Sequence, residues 1–214
     1  MSGPALSPLD RLIAELDHGL RVLAAHPATV AEPSPAARVP EAELDAAERR
    51  HAAGLMRVNH SGEVCAQALY RGQALVTRAA EIRADMAAAA VDEEAHLAWC
   101  QQRLDELDAA PSLLNPLWYG ASFVLGAAAG LADERLGLGF VAATEDQVCV
   151  HLRDHLEQLP AADDRSRALV ARMLDDEAAH AHRAKVAGAT LFPAPVKAGM
   201  SLVAKALTLL SYRI

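Results

Sequence analysis

Two copies of one pattern carry most of the chemistry in this sequence: Glu93 with His96, and Glu177 with His180. On a helix, residues three apart leave the same face about one turn from each other, so each pair can bind one metal ion. A single Glu-x-x-His pair is common on solvated helix faces and indicates little. The repeat indicates more, because an Asp precedes the Glu in both copies.

Each pair also follows a lone glutamate on an earlier apolar stretch. Glu63 lies 30 residues before Glu93, and Glu145 lies 32 residues before Glu177. Two lone glutamates and two Glu-x-x-His pairs form the ligand set of a carboxylate-bridged dimetal site inside a four-helix bundle. The predicted metal ligands are Glu63, Glu93, His96, Glu145, Glu177 and His180.

This ligand set suits two iron or manganese ions. Four ionised glutamates balance a divalent pair, and oxygen ligands match these hard ions. Bridging carboxylates hold two metals roughly 3.5–4 Å apart, where both can act on one oxygen species. Without metal the facing carboxylates repel each other, so we expect the metal-free protein to be less stable. Asp92 and Asp176 each precede a His by four residues and are predicted to accept its imidazole N–H, on the same helix or across the bundle. The alternative is a pair of surface aspartates.

Composition favours a single all-α domain spanning residues 1–214. The 214 residues can bury a sizeable core, and a sequence rich in Ala and Leu with only 4% aromatic residues favours helices. The net charge of −8, without a basic patch, argues against nucleic acid as a partner. No signal peptide is apparent, so we expect the protein in the cytoplasm or on the cytoplasmic side of a membrane.

Hydrophobic periodicity predicts the helices that carry these residues. An amphipathic helix from Pro8 to about Ala25 precedes a Pro-rich linker or extended strap from His26 to Pro40. A long helix begins at Glu41, and its second half carries Glu63. The other bundle helices are expected at about Ala80 to Leu107, Leu138 to Leu159, and Asp164 to Ala187.

Some residues on or near these helices fall outside the ligand pattern. We expect His18, His26 and His51 at the surface. Gly62 and Gly72, costly inside a helix, are either tolerated small residues or points of close helix approach.

Two further segments are apolar. Residues 112–132 contain no charged side chain and are predicted to form the crossover between the bundle halves, exposed enough to touch a membrane surface; a buried core helix is the alternative. The amphipathic tail at 193–214 carries Lys197, Lys205 and Arg213, and no acidic residue follows Glu177. A basic amphipathic end favours contact with an anionic membrane, and the alternative is a helix packed on the bundle.

Several longer stretches carry motifs that go beyond single ligand residues. The segment Gly54 to Tyr70 resembles the first-ligand motif of one known family, the demethoxyubiquinone hydroxylases. The similarity runs essentially end to end and is closest to the bacterial members. The other matching stretches are Glu94 to Cys100, Leu114 to Tyr119, Ala143 to Val148, and Ser211 to Ile214.

The resemblance implies a ferritin-like bundle with additional N-terminal, crossover and C-terminal helices, and two iron ions per subunit on the same six ligands. It implies O2-dependent hydroxylation of the ring of a polyprenylated demethoxyubiquinol in ubiquinone biosynthesis, with electrons from the quinol or from NADH. The implied partners are this substrate, the cytoplasmic face of the cell membrane and other enzymes of the pathway. Hydrophobicity alone suggests four ring contacts: Tyr70, Tyr119, Phe123 and Tyr212.

Two rival interpretations stay open at this point. A di-iron or dimanganese protein of another activity, such as a ferroxidase, peroxidase or catalase, would have the same bundle and ligands. The apolar crossover and tail argue against a soluble iron-storage shell. A metal-free, membrane-binding scaffold is the other rival, and it would have to bury six inward Glu and His residues at a high cost in free energy.

Overall fold

The computed structural model describes residues 7–24 and 32–214. This part of the chain forms seven α helices and one short 3-10 helix, Pro35–Arg38, with no β strand, so the predicted all-α fold is confirmed. Residues 25–31, which include His26 and the start of the predicted Pro-rich linker, lie outside the described residues. The helices are α1 (Pro8–Leu23), α2 (Ala46–Val76), α3 (Ala80–Glu106), α4 (Asn115–Ala132), α5 (Glu134–Gln158), α6 (Asp164–Val186) and α7 (Ala194–Ser211).

The four long helices α2, α3, α5 and α6 form the bundle. Helix α2 packs along α3, and α5 packs along α6. One apolar cluster draws on all four helices, with Met56 from α2, Trp99 from α3, Leu152 from α5 and Leu169 from α6. Helix α4 is the crossover between the two pairs and lies along α2. The arrangement is that of a ferritin-like bundle.

The long bundle helix begins at Ala46 and not at the predicted Glu41. Asp45 caps α2 by accepting hydrogen bonds from the backbone N–H groups of Ala47 and Glu48, while the Glu48 carboxylate accepts from the Asp45 N–H. This capping box fixes the first turn. Glu41 instead accepts a hydrogen bond of 2.6 Å from the guanidinium of Arg103, which keeps the preceding segment extended.

The Pro-rich segment is a strap held across the bundle by side chains. The Trp99 indole N–H donates to the Glu32 carbonyl over 3.1 Å, and Arg165 donates to the Val39 carbonyl over 2.8 Å. Since these donors come from α3 and α6, the strap ties the two bundle pairs together.

Helix α1 turns its polar face to the bundle. Arg71 of α2 donates to Glu15 over 3.3 Å, and His18 Nε2 lies 3.2 Å from Gln67 Oε1. His18 is therefore half-buried, and its predicted surface position is wrong. The apolar stripe that marks α1 as amphipathic faces outward, and its four large members are each more than half exposed: Leu9, Ile13, Leu16 and Leu20.

The predicted surface position of His51 is also wrong. Its Nδ1 lies 2.7 Å from the Tyr212 hydroxyl, and its Nε2 lies 3.0 Å from the Gln158 carbonyl oxygen. Both partners are more than 100 residues away in the chain. Helical spacing around His51 carries no information about contacts between segments so far apart.

Small residues let α4 approach α2 closely. A methyl group at Gly72 would overlap the Phe123 carbonyl, and one at Gly126 would overlap the Leu69 carbonyl. Gly62, by contrast, has open space around its Cα, so close approach applies to Gly72 alone among the two predicted glycines.

The outer face of α4 remains exposed and carries Leu117, Val124 and Leu131, so α4 is not a buried core helix. Helix α7 exposes a similar set that includes Leu202 and Val203. Within residues 7–24 and 32–214, no helix combines the length and apolarity needed to cross a bilayer.

We expect Gly126→Ala to lower the free energy of unfolding by about 1–3 kcal/mol or more, because the added methyl overlaps the backbone of α2. Gly120→Ala, on the same helix with nothing nearby, should raise it by about 0.5–1 kcal/mol. Urea unfolding of both variants measures the difference. Equal stability of the two variants would contradict the close packing.

Candidate metal centre

The bundle helices bring the six predicted ligands to one level of the interior. Helix α2 supplies one glutamate, α5 supplies another, and α3 and α6 each supply a Glu-x-x-His pair. All six side chains belong to residues that are at most 4% exposed: Glu63, Glu93, His96, Glu145, Glu177 and His180. Within the described residues, one group has ligand atoms that all lie within 4.8 Å of one another, and it consists of Glu63, Glu93, His96 and Glu177.

The carboxylates Glu93 and Glu177 each stand between the two imidazoles. His96 Nδ1 lies 3.1 Å from Glu177 Oε1 and 3.4 Å from Glu93 Oε2. His180 Nδ1 lies 3.1 Å from Glu177 Oε2 and 3.2 Å from Glu93 Oε1. Each of these two carboxylates therefore offers one oxygen to each imidazole, which is the arrangement of a bridging ligand between two cations.

The other two glutamates lie at the ends of this arrangement. Glu63 Oε2 is 3.7 Å from His96 Nδ1. Glu145 lies beside Glu177, whose charge contributes to the raised pKa of Glu145. Both carboxylates are close enough to the other cluster residues to serve as further ligands if metal binds there.

The second nitrogen of each histidine is held by an aspartate from the opposite helix. His96 Nε2 lies 3.2 Å from Asp176 Oδ2, and His180 Nε2 lies 3.0 Å from Asp92 Oδ2. Of the two geometries predicted, same-helix and cross-bundle, the structure has the cross-bundle one. An aspartate on Nε2–H leaves Nδ1 facing the carboxylates, where it would supply its lone pair to a metal ion after losing its proton, as in metal-binding histidines.

Burial and mutual repulsion change the protonation of the glutamates. Burial and the charge of Glu93 raise the pKa of Glu63 well above its ordinary value. Burial and the charges of Glu177 and Glu93 do the same to the pKa of Glu145. Both carboxyl groups therefore hold protons more tightly in the metal-free fold than in water.

The histidines also bind protons strongly. Burial opposes the charged form, but the hydrogen bond to Asp176 and the nearby Glu177 carboxylate outweigh it and raise the pKa of His96 well above its ordinary value. For His180, the hydrogen bond to Glu177 and the nearby Glu93 carboxylate outweigh burial and raise the pKa to about 11. Cations that enter the cluster displace these protons, so metal affinity should rise with pH.

Several buried acceptor atoms of the cluster have no hydrogen-bond partner: Glu63 Oε2, both carboxylate oxygens of Glu93, and His96 Nδ1. Leaving such atoms unsatisfied costs free energy, and a bound cation would satisfy all of them. Carboxylate oxygens with one imidazole per cation suit iron or manganese. The residues present therefore fit a pair of such ions.

Tyr70 is one of the four ring contacts that hydrophobicity suggests. In the structure, it contacts a predicted metal ligand. Its hydroxyl donates a hydrogen bond of 2.6 Å to Glu145 Oε1, and the residue is 1% exposed. Burial and the charge of Glu145 raise the pKa of Tyr70 well above its ordinary value, so the hydroxyl keeps its proton. The seven-residue spacing from Glu63, two helical turns on one face, is the signal that points Tyr70 to the site.

The other three aromatic residues suggested as ring contacts make their contacts elsewhere. Tyr119 and Phe123 stack on each other with ring centroids 6.4 Å apart, and the Tyr119 ring lies against Gly19 of α1. Tyr212 lies over Gly54 and bonds His51. Their assignment as ring contacts stays a prediction.

We expect Asp176→Ala to weaken metal binding by about tenfold to a hundredfold, because His96 loses the acceptor that orients it. Asp175→Ala is the matched control, since Asp175 is the exposed neighbour on the same helix. Titration of each metal-free protein with Fe²⁺ under anaerobic conditions gives the affinities. Equal affinities for the two variants would show that the aspartate does not support the site.

Comparison with known proteins places this geometry in a family. Residues 50–211 match the family model described as ubiquinone biosynthesis protein COQ7. Proteins from Stutzerimonas stutzeri (strain A1501) and Azotobacter vinelandii (strain DJ / ATCC BAA-1303) are both 56% identical to the chain over 208 residues, which cover 97% of each sequence. A protein from Pseudomonas aeruginosa (strain LESB58) is 54% identical over the same share. All three relatives are named 3-demethoxyubiquinol 3-hydroxylase. The chain therefore belongs to the COQ7 family of ubiquinone-biosynthesis proteins.

Proposed function

We propose that this protein is a di-iron 3-demethoxyubiquinol 3-hydroxylase. The observation that carries the proposal is the buried cluster in which Glu93 and Glu177 each face both His96 and His180. The shared name of relatives that are more than half identical supplies the substrate: a benzoquinol ring that lacks one methoxy group. The polyprenyl tail of this substrate anchors it in lipid.

When two iron ions are held by these ligands, they supply reductive activation of O2, so that one oxygen atom enters the ring C–H bond and the other leaves as water. Besides O2, this hydroxylation requires two electrons and two protons. The electrons come from the quinol itself, which leaves as a hydroxylated quinone, or from NADH. Either source conserves atoms and charge.

The protein side chains set the conditions for this reaction. Asp92 and Asp176 hold the imidazoles so that Nδ1 faces inward, and Tyr70 fixes one oxygen of Glu145. The almost complete burial of the cluster keeps bulk water away from the reacting atoms. The side chains thus orient the imidazoles and Glu145, and their burial excludes water.

The rival di-iron activities share the ligand set, so the distinction lies outside it. A ferroxidase or catalase acts on small soluble species and does not need an apolar exterior. We define the apolar surface of this protein as the exposed large hydrophobic side chains of α1, α4 and α7. The three helices are neighbours, since the Tyr119 ring of α4 lies against Gly19 of α1 and Trp118 donates to Ser211 at the end of α7.

A lipid bilayer is the occupant that we propose for the apolar surface. The substrate tail stays in lipid, and the enzyme must come to it. Lys197, Lys205 and Arg213 on and after α7, without an acidic residue beyond Glu177, favour an anionic headgroup layer. We therefore propose that the protein lies peripherally on the cytoplasmic face of the cell membrane, together with other enzymes of ubiquinone biosynthesis.

The wild-type chain, loaded with Fe²⁺ anaerobically and given a short-tailed demethoxyubiquinol, a reductant and ¹⁸O2, should yield a hydroxylated product that carries one ¹⁸O atom. Glu145→Ala should abolish the product while circular dichroism shows nearly intact helix content, because a metal ligand is lost. Glu157→Ala, an exposed glutamate on the same helix, is the control and should retain activity. Mass spectrometry measures the amount of hydroxylated product and its ¹⁸O content for each variant. Full activity of Glu145→Ala would refute the ligand assignment, and peroxide consumption without ring hydroxylation would favour a catalase.

The double variant Ile13→Glu/Leu20→Glu should bind vesicles containing phosphatidylglycerol roughly tenfold more weakly or worse, because two large apolar side chains no longer enter the bilayer. Val150→Glu/Val186→Glu changes two equally exposed valines on α5 and α6, outside the apolar surface, and should bind like the wild type. Vesicle co-sedimentation measures the bound fraction. Equal loss in both variants would argue against α1 as a membrane contact.

A further inference from the structure

A cavity of about 290 Å³ opens between α1, α2 and α3. Its apolar wall comes largely from one face of α3, through Met86, Ala87, Ala90 and Val91. The volume is near the lower end of natural ligand sites, which suits one substituted ring and not a long isoprenoid chain.

Tyr70, which is 1% exposed, is part of the cavity lining. The same residue donates its hydroxyl to Glu145 over 2.6 Å. One aromatic side chain therefore both lines the cavity and contacts a predicted metal ligand. A molecule in the cavity contacts the residue that holds Glu145.

Charged groups stand around the mouth of the cavity. Arg71 pairs with Glu15 at 3.3 Å and with Glu94 at 3.8 Å, and all three line the cavity with Arg11 and Arg83. A benzoquinol has two apolar faces and an edge of oxygen substituents. Apolar walls for its faces and guanidinium donors for its oxygens match that distribution.

The mouth also lies beside the apolar surface. Arg11 and Ala14 of α1 line the cavity, while Ile13 and Leu16, between and beyond them on the same helix, are exposed to the outside. A ring in the cavity can therefore pass its tail between the charged groups at the mouth and then along the apolar side chains of α1 into lipid.

We infer that this cavity binds the ring of the substrate, and that Tyr70 is a positioning residue that links the bound ring to Glu145. The inference rests on the proposed hydroxylase function. It adds the path of the substrate: the ring enters between α1 and α3, the tail leaves along α1, and the bound ring lies against Tyr70.

Ring binding is tested without turnover. The probe is tail-free 2-methoxy-5-methyl-1,4-benzoquinol, titrated anaerobically into Fe²⁺-loaded protein by calorimetry. Ala87→Phe fills the mouth from an exposed position and should weaken ring binding roughly tenfold or more. Ala88→Phe, the next exposed residue on α3 and not part of the cavity, should bind like the wild type. Both variants should bind the same amount of iron.

The result that overturns the cavity assignment is equal ring affinity in Ala87→Phe and Ala88→Phe. No ring binding by the wild type overturns it as well. The hydroxylase function is decided separately by product formation from the tailed substrate, so an active enzyme with an unaffected Ala87→Phe variant refutes only the cavity.

Tyr70→Phe tests the link to the metal ligand. The phenyl ring preserves the aromatic lining of the cavity, so affinity for the tail-free quinol should stay near the wild-type value. Loss of the hydroxyl frees Glu145, so one of two Co²⁺ ions should bind about tenfold more weakly, with a changed absorption spectrum of the bound ion. Wild-type Co²⁺ affinity together with an unchanged spectrum would refute the positioning role.

Discussion

Four glutamates inside an apolar helix bundle are the constraint on which the rest of this structure depends. Burying one uncompensated carboxylate is costly, and placing several within a few ångströms of each other adds repulsion. The metal-free fold meets this cost with protons, as the raised pKa values of Glu63, Glu145 and His180 indicate. The ligands lie on four helices, so cations that replace the protons tie all four together. The rest of the bundle then needs only small side chains and ordinary apolar contacts to hold the helices together.

The residues of the buried Glu and His cluster could be predicted because they follow local spacing. A Glu and a His three apart share a helix face whatever the rest of the chain does, and a repeat of that pair is rare. The hydrogen-bond partners of the two histidines could be predicted only in part, because the sequence left open whether each aspartate acts on the same helix or across the bundle. Distant pairs such as His51 with Tyr212 leave no periodic trace, and the start of α2 depends on the competition between Asp45 as a cap and Arg103 as a partner for Glu41.

Helix α1 shows why amphipathicity alone does not give orientation. Its leucine stripe predicts a helix that covers a core, yet Arg71 and Gln67 on α2 hold its polar face inward. Arg71 lies 56 residues after its partner Glu15, and Gln67 lies 49 residues after its partner His18. With the core already filled by the bundle helices, the stripe faces outward. A stripe of this kind is typical either of a helix packed on its own protein or of one that lies on a membrane.

The hydrogen bond between Tyr70 and Glu145 has a consequence for symmetry. The two halves of the ligand set are near-copies, with matching spacing and reciprocal aspartates, and such a duplicated arrangement would make the two cation positions equivalent. Tyr70 breaks that equivalence, because position 152, the corresponding place seven residues after Glu145, is a leucine. One terminal carboxylate therefore shares an oxygen with a phenol while the other has an oxygen without a hydrogen-bond partner. Two ions bound to these residues would therefore be chemically distinct despite the duplicated sequence pattern, because of a single aromatic side chain.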